Sequence, residues 1–269
     1  MNKAKTLHLA RRLTQVAFLG LVLWKAFAHQ LDQRIAASLD ALCPFGAVET
    51  AGRLAVAGRY VQKLNASNVV LGVGLLLSLL LVGGVFCGWL CPFGALQEWL
   101  TALRRRLRAP ELRVPERWAK HLGVFKYVVL AAVLYATYTT GKLIFADYDP
   151  YRTIFSLHWL FSPSEVAVAA WVVAGLTLAL SFLIPKFWCR FACPLGALVS
   201  LGNRVSVFRL KKTSACTDCR LCNRVCPSRL DVAAGRTAEN CSRCLECVEA
   251  CPQQALIIEG PGRRPAEEV

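Results

Sequence analysis

The chain has 269 residues, of which 55% are hydrophobic and only 18% charged, with a mean hydropathy of +0.43. That balance excludes an ordinary soluble domain, whose charged fraction runs near a quarter. The formal net charge of +15 sits beside apolar runs rather than along one face, which marks membrane topology and argues against nucleic acid as a partner.

In chain order, four apolar stretches predict membrane spans at 13–28, 68–90, 122–146 and 166–185. The second and fourth are uncharged over the ~20 residues needed to cross about 30 Å of hydrocarbon. The other two contain Lys25, Lys126 and Lys142, which are expected near span ends, where a long ammonium stem snorkels to the interface. Lys3, Lys5, Arg11 and Arg12 precede the first span, a run of basic residues from Arg104 to Lys120 separates the second from the third, and Lys186, Arg190, Arg204, Arg209, Lys211 and Lys212 follow the fourth. The positive-inside rule then predicts a multi-pass inner-membrane protein with both termini in the cytoplasm and the links at 29–66 and 143–165 outside. A cleaved signal peptide is the bland reading of the N-terminus and is not expected here.

The pentapeptide CPFGA occurs at 43–47 and 91–95, and CPLGA at 193–197. Only the later two copies have a second cysteine four residues upstream, which makes two C-x3-C-P motifs at Cys87/Cys91 and Cys189/Cys193, offset by 102 residues. A duplicated helix pair accounts for the offset and would bring the four thiols together at the cytoplasmic end as a candidate metal or cluster site. Proline fits the first position of a helix and leaves cysteine as its cap, while Gly94, Ala95, Gly196 and Ala197 allow close approach. The bland alternative is a pair of interfacial helix starts with buried thiols. Cys43, with Leu39 where a second cysteine would stand, falls in an outside link and reads as a helix start without chelating partners. Both outside links read either as turn and interface structure or as the walls of a quinone pocket formed by Phe45, Tyr148, Tyr151 and His158.

From Thr213 the hydropathy falls, and eight of the thirteen cysteines lie within 36 residues. CTDCRLCNRVCP and CSRCLECVEACP both read C-x2-C-x2-C-x3-C-P, the two-cluster ferredoxin spacing in which the fourth cysteine crosses to the other cluster. The predicted [4Fe-4S] ligand sets are Cys216, Cys219, Cys222 and Cys251 for one cluster, and Cys241, Cys244, Cys247 and Cys226 for the second. Zinc sites lack the third and fourth cysteines at these offsets, and a disulfide framework needs an oxidising compartment. Residues 255–258 read as a closing strand. The fold class is therefore mostly α: a four-span helical membrane domain at 1–212, a ferredoxin-like domain at 213–260 and a tail at 261–269. No C-x-x-C-H motif for covalent haem and no Gly-rich nucleotide loop is present.

The four spans, the motifs at 87–92 and 189–194 and the ferredoxin at 216–252 resemble, over nearly the whole chain, the membrane polyferredoxins of the NapH, NosR and CcoG type. By size the chain is most similar to NapH. The resemblance implies a redox component of a quinol dehydrogenase, with the quinone pool and the redox proteins of a respiratory reductase system as partners. The alternative that it implies is a maturation factor resembling CcoG, which reduces or hands over a metal such as copper through the four membrane thiols.

Overall fold

The computed structural model describes residues 3–31, 43, 45–49, 66–112, 114–141, 143–157, 167–235, 237 and 239–260. The first predicted span lies inside a longer helix, α1 (Lys3–Leu31). Its N-terminal turns continue through Arg11 and Gln15 because both side chains are buried against later segments.

The second predicted span is not one helix. α2 (Ala66–Leu81) has 16 residues, or about 24 Å at 1.5 Å per residue. It ends where the N–H groups of Val82 and Gly83 both return to Ser78 O, with Gly83 at φ +79°. Only glycine takes that left-handed conformation without strain. The chain then turns back as α3 (Val85–Trp89), which packs on α2, and leaves through α4 (Pro92–Arg106).

The second half repeats this path. α5 (Glu116–Thr140) starts behind Pro115 and stops at Gly141, φ +69°, so the span predicted at 122–146 is shifted toward its N-terminus. Lys142 lies outside the described residues, and a 3-10 turn (Ile144–Asp147) follows. α6 (Pro150–Phe155) begins behind Asp149, whose carboxylate accepts the Tyr151 N–H at 3.0 Å. α7 (Val168–Leu183) replaces the span predicted at 166–185 and ends before Pro185, which cannot continue a helix. A π-helical turn (Trp188–Ala192) and α8 (Pro194–Val205) complete the half. The packing is exchanged between halves: α4 packs on α7 and α8 packs on α2, while α1 packs on α4 and α5 on α8. Among the described residues, only Arg117–Thr140 is both long and apolar enough to cross a membrane as one helix.

The cysteine-rich end is closed by β1 (Arg209–Lys212) and β2 (Leu256–Glu259), antiparallel with Leu210 opposite Ile258. The closing strand thus falls one residue later than predicted, and its partner lies upstream of Thr213. Between the strands stand two short helices, α9 (Leu221–Val225) and α10 (Glu246–Glu249). The two loops match: Asp218 and Arg220 in one, and Arg243 and Leu245 in the other, all have φ between 49° and 62°. Left-handed backbone at non-glycine residues is uncommon, and its recurrence at equivalent positions shows both loops curling around their cysteines. Leu210, Val232, Ala233 and Leu256 form the small core beneath. The tail at 261–269 lies outside the described residues.

Candidate metal centres

Cys226, Cys241, Cys244 and Cys247 line one cavity of about 450 Å³. Cys216, Cys219, Cys222 and Cys251 line a second of about 400 Å³. In each, three cysteines come from one loop and the fourth from the end of the other. All of these cysteines are free thiols. Among the described residues no three His, Cys, Asp or Glu side chains stand close enough together to chelate one ion. Each foursome surrounds a space, which fits a body of several atoms such as a cubane.

The fourth cysteines are held alike. Cys226 Sγ accepts the Leu230 N–H at 3.5 Å, and Cys251 Sγ accepts the Ala255 N–H at 3.4 Å; hydrogen bonds to sulfur are one lever on a cluster's reduction potential. The two cavities differ in exposure, since Cys226, Cys244 and Cys247 are buried whereas Cys219 is exposed. Burial pushes the Cys244 thiol up to about 12 although Lys186 opposes the shift.

Cys87, Cys91, Cys189 and Cys193 line a third, apolar cavity of about 670 Å³. Pro92 and Pro194 occupy the first positions of α4 and α8, with Cys91 and Cys193 as their caps. Cys193 Sγ accepts the Gly196 N–H at 3.4 Å. Cys189 Sγ accepts from Gln97 Nε2 at 3.1 Å, and the buried Gln97 is held in turn by Ser181 Oγ at 3.2 Å. A Cβ on Gly94 would collide with the Cys87 carbonyl oxygen, and one on Gly196 with that of Cys189. These glycines therefore let each motif fold over its own helix start.

This cavity also draws on the two links. Cys43, Phe45, Phe145 and Tyr151, all from links predicted to lie on the opposite side, stand on the wall it shares with the motif cysteines. Because α3 and the π turn fold back instead of continuing α2 and α7, the thiols sit between the links and the ferredoxin end. Cys43 stands just before a helical turn at 45–49, as read from the sequence, and is in addition a fifth thiol at this cavity. Of the residues considered for a quinone pocket, Phe45 and Tyr151 line it, Tyr148 is exposed, and His158 lies outside the described residues.

A smaller cavity of about 350 Å³ joins the C-x3-C-P motifs to the ferredoxin end, with Cys87, Cys189, Lys186, Cys241 and Ser242 on its wall. Asn203 Nδ2 donates to Cys241 O at 2.9 Å, Trp89 Nε1 to Arg243 O at 3.0 Å, and Arg243 Nε to Val82 O at 3.0 Å. Gly84 and Gly88 make room for this loop: a Cβ on either would collide with the carbonyl oxygens of Cys241 and Ser242 respectively.

A family profile described as a 4Fe-4S binding domain matches residues 64–110 and 166–213. The two matches start 102 residues apart, which is the offset between Cys87 and Cys189. An uncharacterized protein of Methanocaldococcus jannaschii is 31% identical over 217 residues, covering 80% of this chain and 85% of that protein. The regulatory protein NosR of Pseudomonas aeruginosa is 37% identical over 180 residues, 63% of this chain and 24% of NosR. The ferredoxin-type protein NapH of Escherichia coli is 26% identical over 186 residues, 65% of this chain and 61% of NapH. The chain belongs to the NapH/NosR-type polyferredoxins. No solved structure matches it. Identity to NapH is lower than to NosR, so the likeness in size is a poor guide to which relative is nearer, and the chain spans only about a quarter of NosR. Membership makes the polyferredoxin an iron-sulfur electron-transfer protein.

Several residues that build the polyferredoxin's junction were read in the sequence only as topology markers. Arg11 pairs with Glu98 and donates to Gly88 O at 2.9 Å, and Lys186 stands 2.6 Å from Glu98 and donates to Ser242 Oγ at 2.8 Å. Lys126, expected to snorkel, is 1% exposed and donates to Ser200 Oγ and Asn240 Oδ1, both at 2.7 Å. It sits in the interior because α5 begins earlier than predicted. Burial alone would raise the Glu98 carboxyl, but Lys186 and Arg11 outweigh it and hold the group below the usual carboxylate range. The signal available in the sequence was the polar pair Gln97–Glu98 inside an otherwise apolar turn after Cys91.

Proposed function

We propose that the chain is a membrane-bound iron-sulfur relay that exchanges electrons with the quinone pool and passes them to or from a redox partner in a respiratory reductase system. Cys226, Cys241, Cys244 and Cys247 would hold an inner [4Fe-4S] centre, Cys216, Cys219, Cys222 and Cys251 an outer one, and Cys87, Cys91, Cys189 and Cys193 a further centre. The reading is supported above all by adjacency: Cys87 and Cys189 share a cavity wall with Cys241, and Cys222 and Cys251 pack in one cluster with Cys226 and Cys247. A quinol releases two electrons and two protons, whereas an iron-sulfur centre takes one electron at a time, so a row of centres carries the pair away. The chain's own contribution is to hold the sulfurs with Gln97 and the Gly196 N–H and to keep water out with Phe45, Phe93, Phe145 and Trp188.

Protein purified without oxygen is expected to carry about eight irons per chain if only the ferredoxin loops are loaded, and about twelve if the third cavity takes a cubane as well. Quinol should bleach its visible band. Iron near zero would sink the cluster reading, whereas a loaded protein indifferent to quinol but oxidised by Cu(II) would favour the metal-reductase alternative.

The charge distribution supports a multi-pass arrangement with both termini in the cytoplasm. A periplasmic reporter fused between Lys142 and Tyr151 is expected to be active, and one fused at Arg105 or after Cys251 silent. Activity from the fusion after Cys251 would invert the protein.

A further inference from the structure

Between the inner ferredoxin loop and the membrane cysteines lies a cage of buried charge. Glu98 is its centre: one carboxylate oxygen faces Lys186 Nζ at 2.6 Å, and the other pairs with Arg11 and accepts Gln15 Nε2 at 3.2 Å. Arg11, Glu98 and Lys186 are 0%, 5% and 3% exposed. At the rim, Glu246 lies 3.1 Å from Arg11 and 3.7 Å from Arg12. Three cations against two carboxylates leave one surplus positive charge.

Stability alone is a poor reason for such a cage, because a buried ion pair returns little over well-packed apolar residues. The cage members come from α1, α4, the turn before Cys189 and the inner ferredoxin loop. Lys186 has φ +54°, a left-handed conformation that strains a lysine. Its ammonium nevertheless reaches Ser242, between Cys241 and Cys244, and it lines the cavity shared by Cys87, Cys189 and Cys241. A reduced centre carries one more negative charge than an oxidised one. Burial penalises that charge, and a cation close by in a low-dielectric surround offsets the penalty. Among the described residues, the cations lining the outer cavity, Lys212 and Arg220, are both exposed, and Lys212 is paired with Asp218 at 3.3 Å, so solvent screens them.

We propose that the Arg11–Glu98–Lys186 cage is a charge-tuning site, whose surplus positive charge raises the reduction potential of the centre held by Cys226, Cys241, Cys244 and Cys247 relative to the outer centre. The proposal rests on the cluster reading above. Lys186 and Glu98 are positioning residues in this scheme; neither touches an electron carrier's ligands directly, and their charges bias where an electron rests between the membrane thiols and the ferredoxin loops.

The test is a redox titration of the full-length, detergent-solubilised protein followed by electron paramagnetic resonance. Lys186→Gln makes the cage neutral, so at fixed poise the reduced-to-oxidised ratio of the inner centre should fall about tenfold, a shift of ~59 mV for a one-electron couple. Glu98→Gln adds a surplus charge and should shift the ratio the other way. The double variant restores the net charge and should return the midpoint to near that of the unsubstituted protein, as should Lys186→Arg. The outer midpoint stays put throughout. Glu246→Gln, at the half-exposed rim, must move the inner midpoint in the Glu98→Gln direction and provides a readout that does not depend on the buried variants folding. Inner midpoints that ignore these charges, or that move the same way for Lys186→Gln and Glu98→Gln, would overturn the proposal alone. Absence of two centres from the unsubstituted protein would overturn the cluster reading, and the proposal with it.

Discussion

Replacing Cys244 with serine is expected to remove about four irons per chain and to loosen the whole ferredoxin end. Cys244 is buried, and its loop carries the Cys241, Ser242 and Arg243 backbone contacts that dock this end on α3 and α8. So small a core cannot hold two loops in left-handed backbone alone, and cluster binding energy becomes folding energy, on the order of 10 kcal/mol by the scale of structural metal sites. Cys219→Ser should also lose about four irons, but its thiol is exposed and away from the docked loop, so the junction should survive. Iron analysis and limited proteolysis distinguish the two variants. Full iron in both would show that these cysteines are not the ligands.

Gly88→Val is expected to cut the C-x3-C-P thiols off from the ferredoxin end. The added side chain meets the Ser242 carbonyl oxygen, a backbone atom that cannot swing aside. The same residue's carbonyl accepts from Arg11 Nε and Gln15 Nε2, both at 2.9 Å, so a shift of this turn also disturbs the charge cage. Overpacking costs about 1–3 kcal/mol, which lowers the ratio of docked to undocked protein about five- to 150-fold. Quinol should then reduce the ferredoxin centres slowly, while dithionite, acting from solution, still reduces them fully. Gly175→Ala is the control, since a Cβ there meets nothing within 4 Å. Quinol reduction at the normal rate in Gly88→Val would exclude the junction as the electron route.

Much of the local chemistry was legible in the residues. Pro92 and Pro194 start helices because proline has no N–H to leave unsatisfied in a first turn, and the cysteines before them become caps in both halves. The 102-residue offset announced the duplication, and the exchange of α4 and α8 between halves follows from it. The spacing also grouped the eight cysteines of the two loops, which line two separate cavities. Lengths of apolar run were less informative. Residues 68–90 contain nothing that forbids one continuous span, since the pair Gly83–Gly84 reads equally well as small residues inside a membrane helix.

By itself the sequence determined where helices begin, which thiols share a loop and that the chain is built from two related halves, because proline geometry and short-range spacing act within a few residues. Only the tertiary structure decided where α2 stops, that Cys43 joins the four motif cysteines, and that Arg11 and Lys186 are buried around Glu98. The turn at Gly83 is held by Asn203 and the Cys241 loop, and the Arg11 guanidinium is held by groups from three separate segments. Such choices rest on partners 70 or more residues away in the chain, whose approach no local pattern encodes.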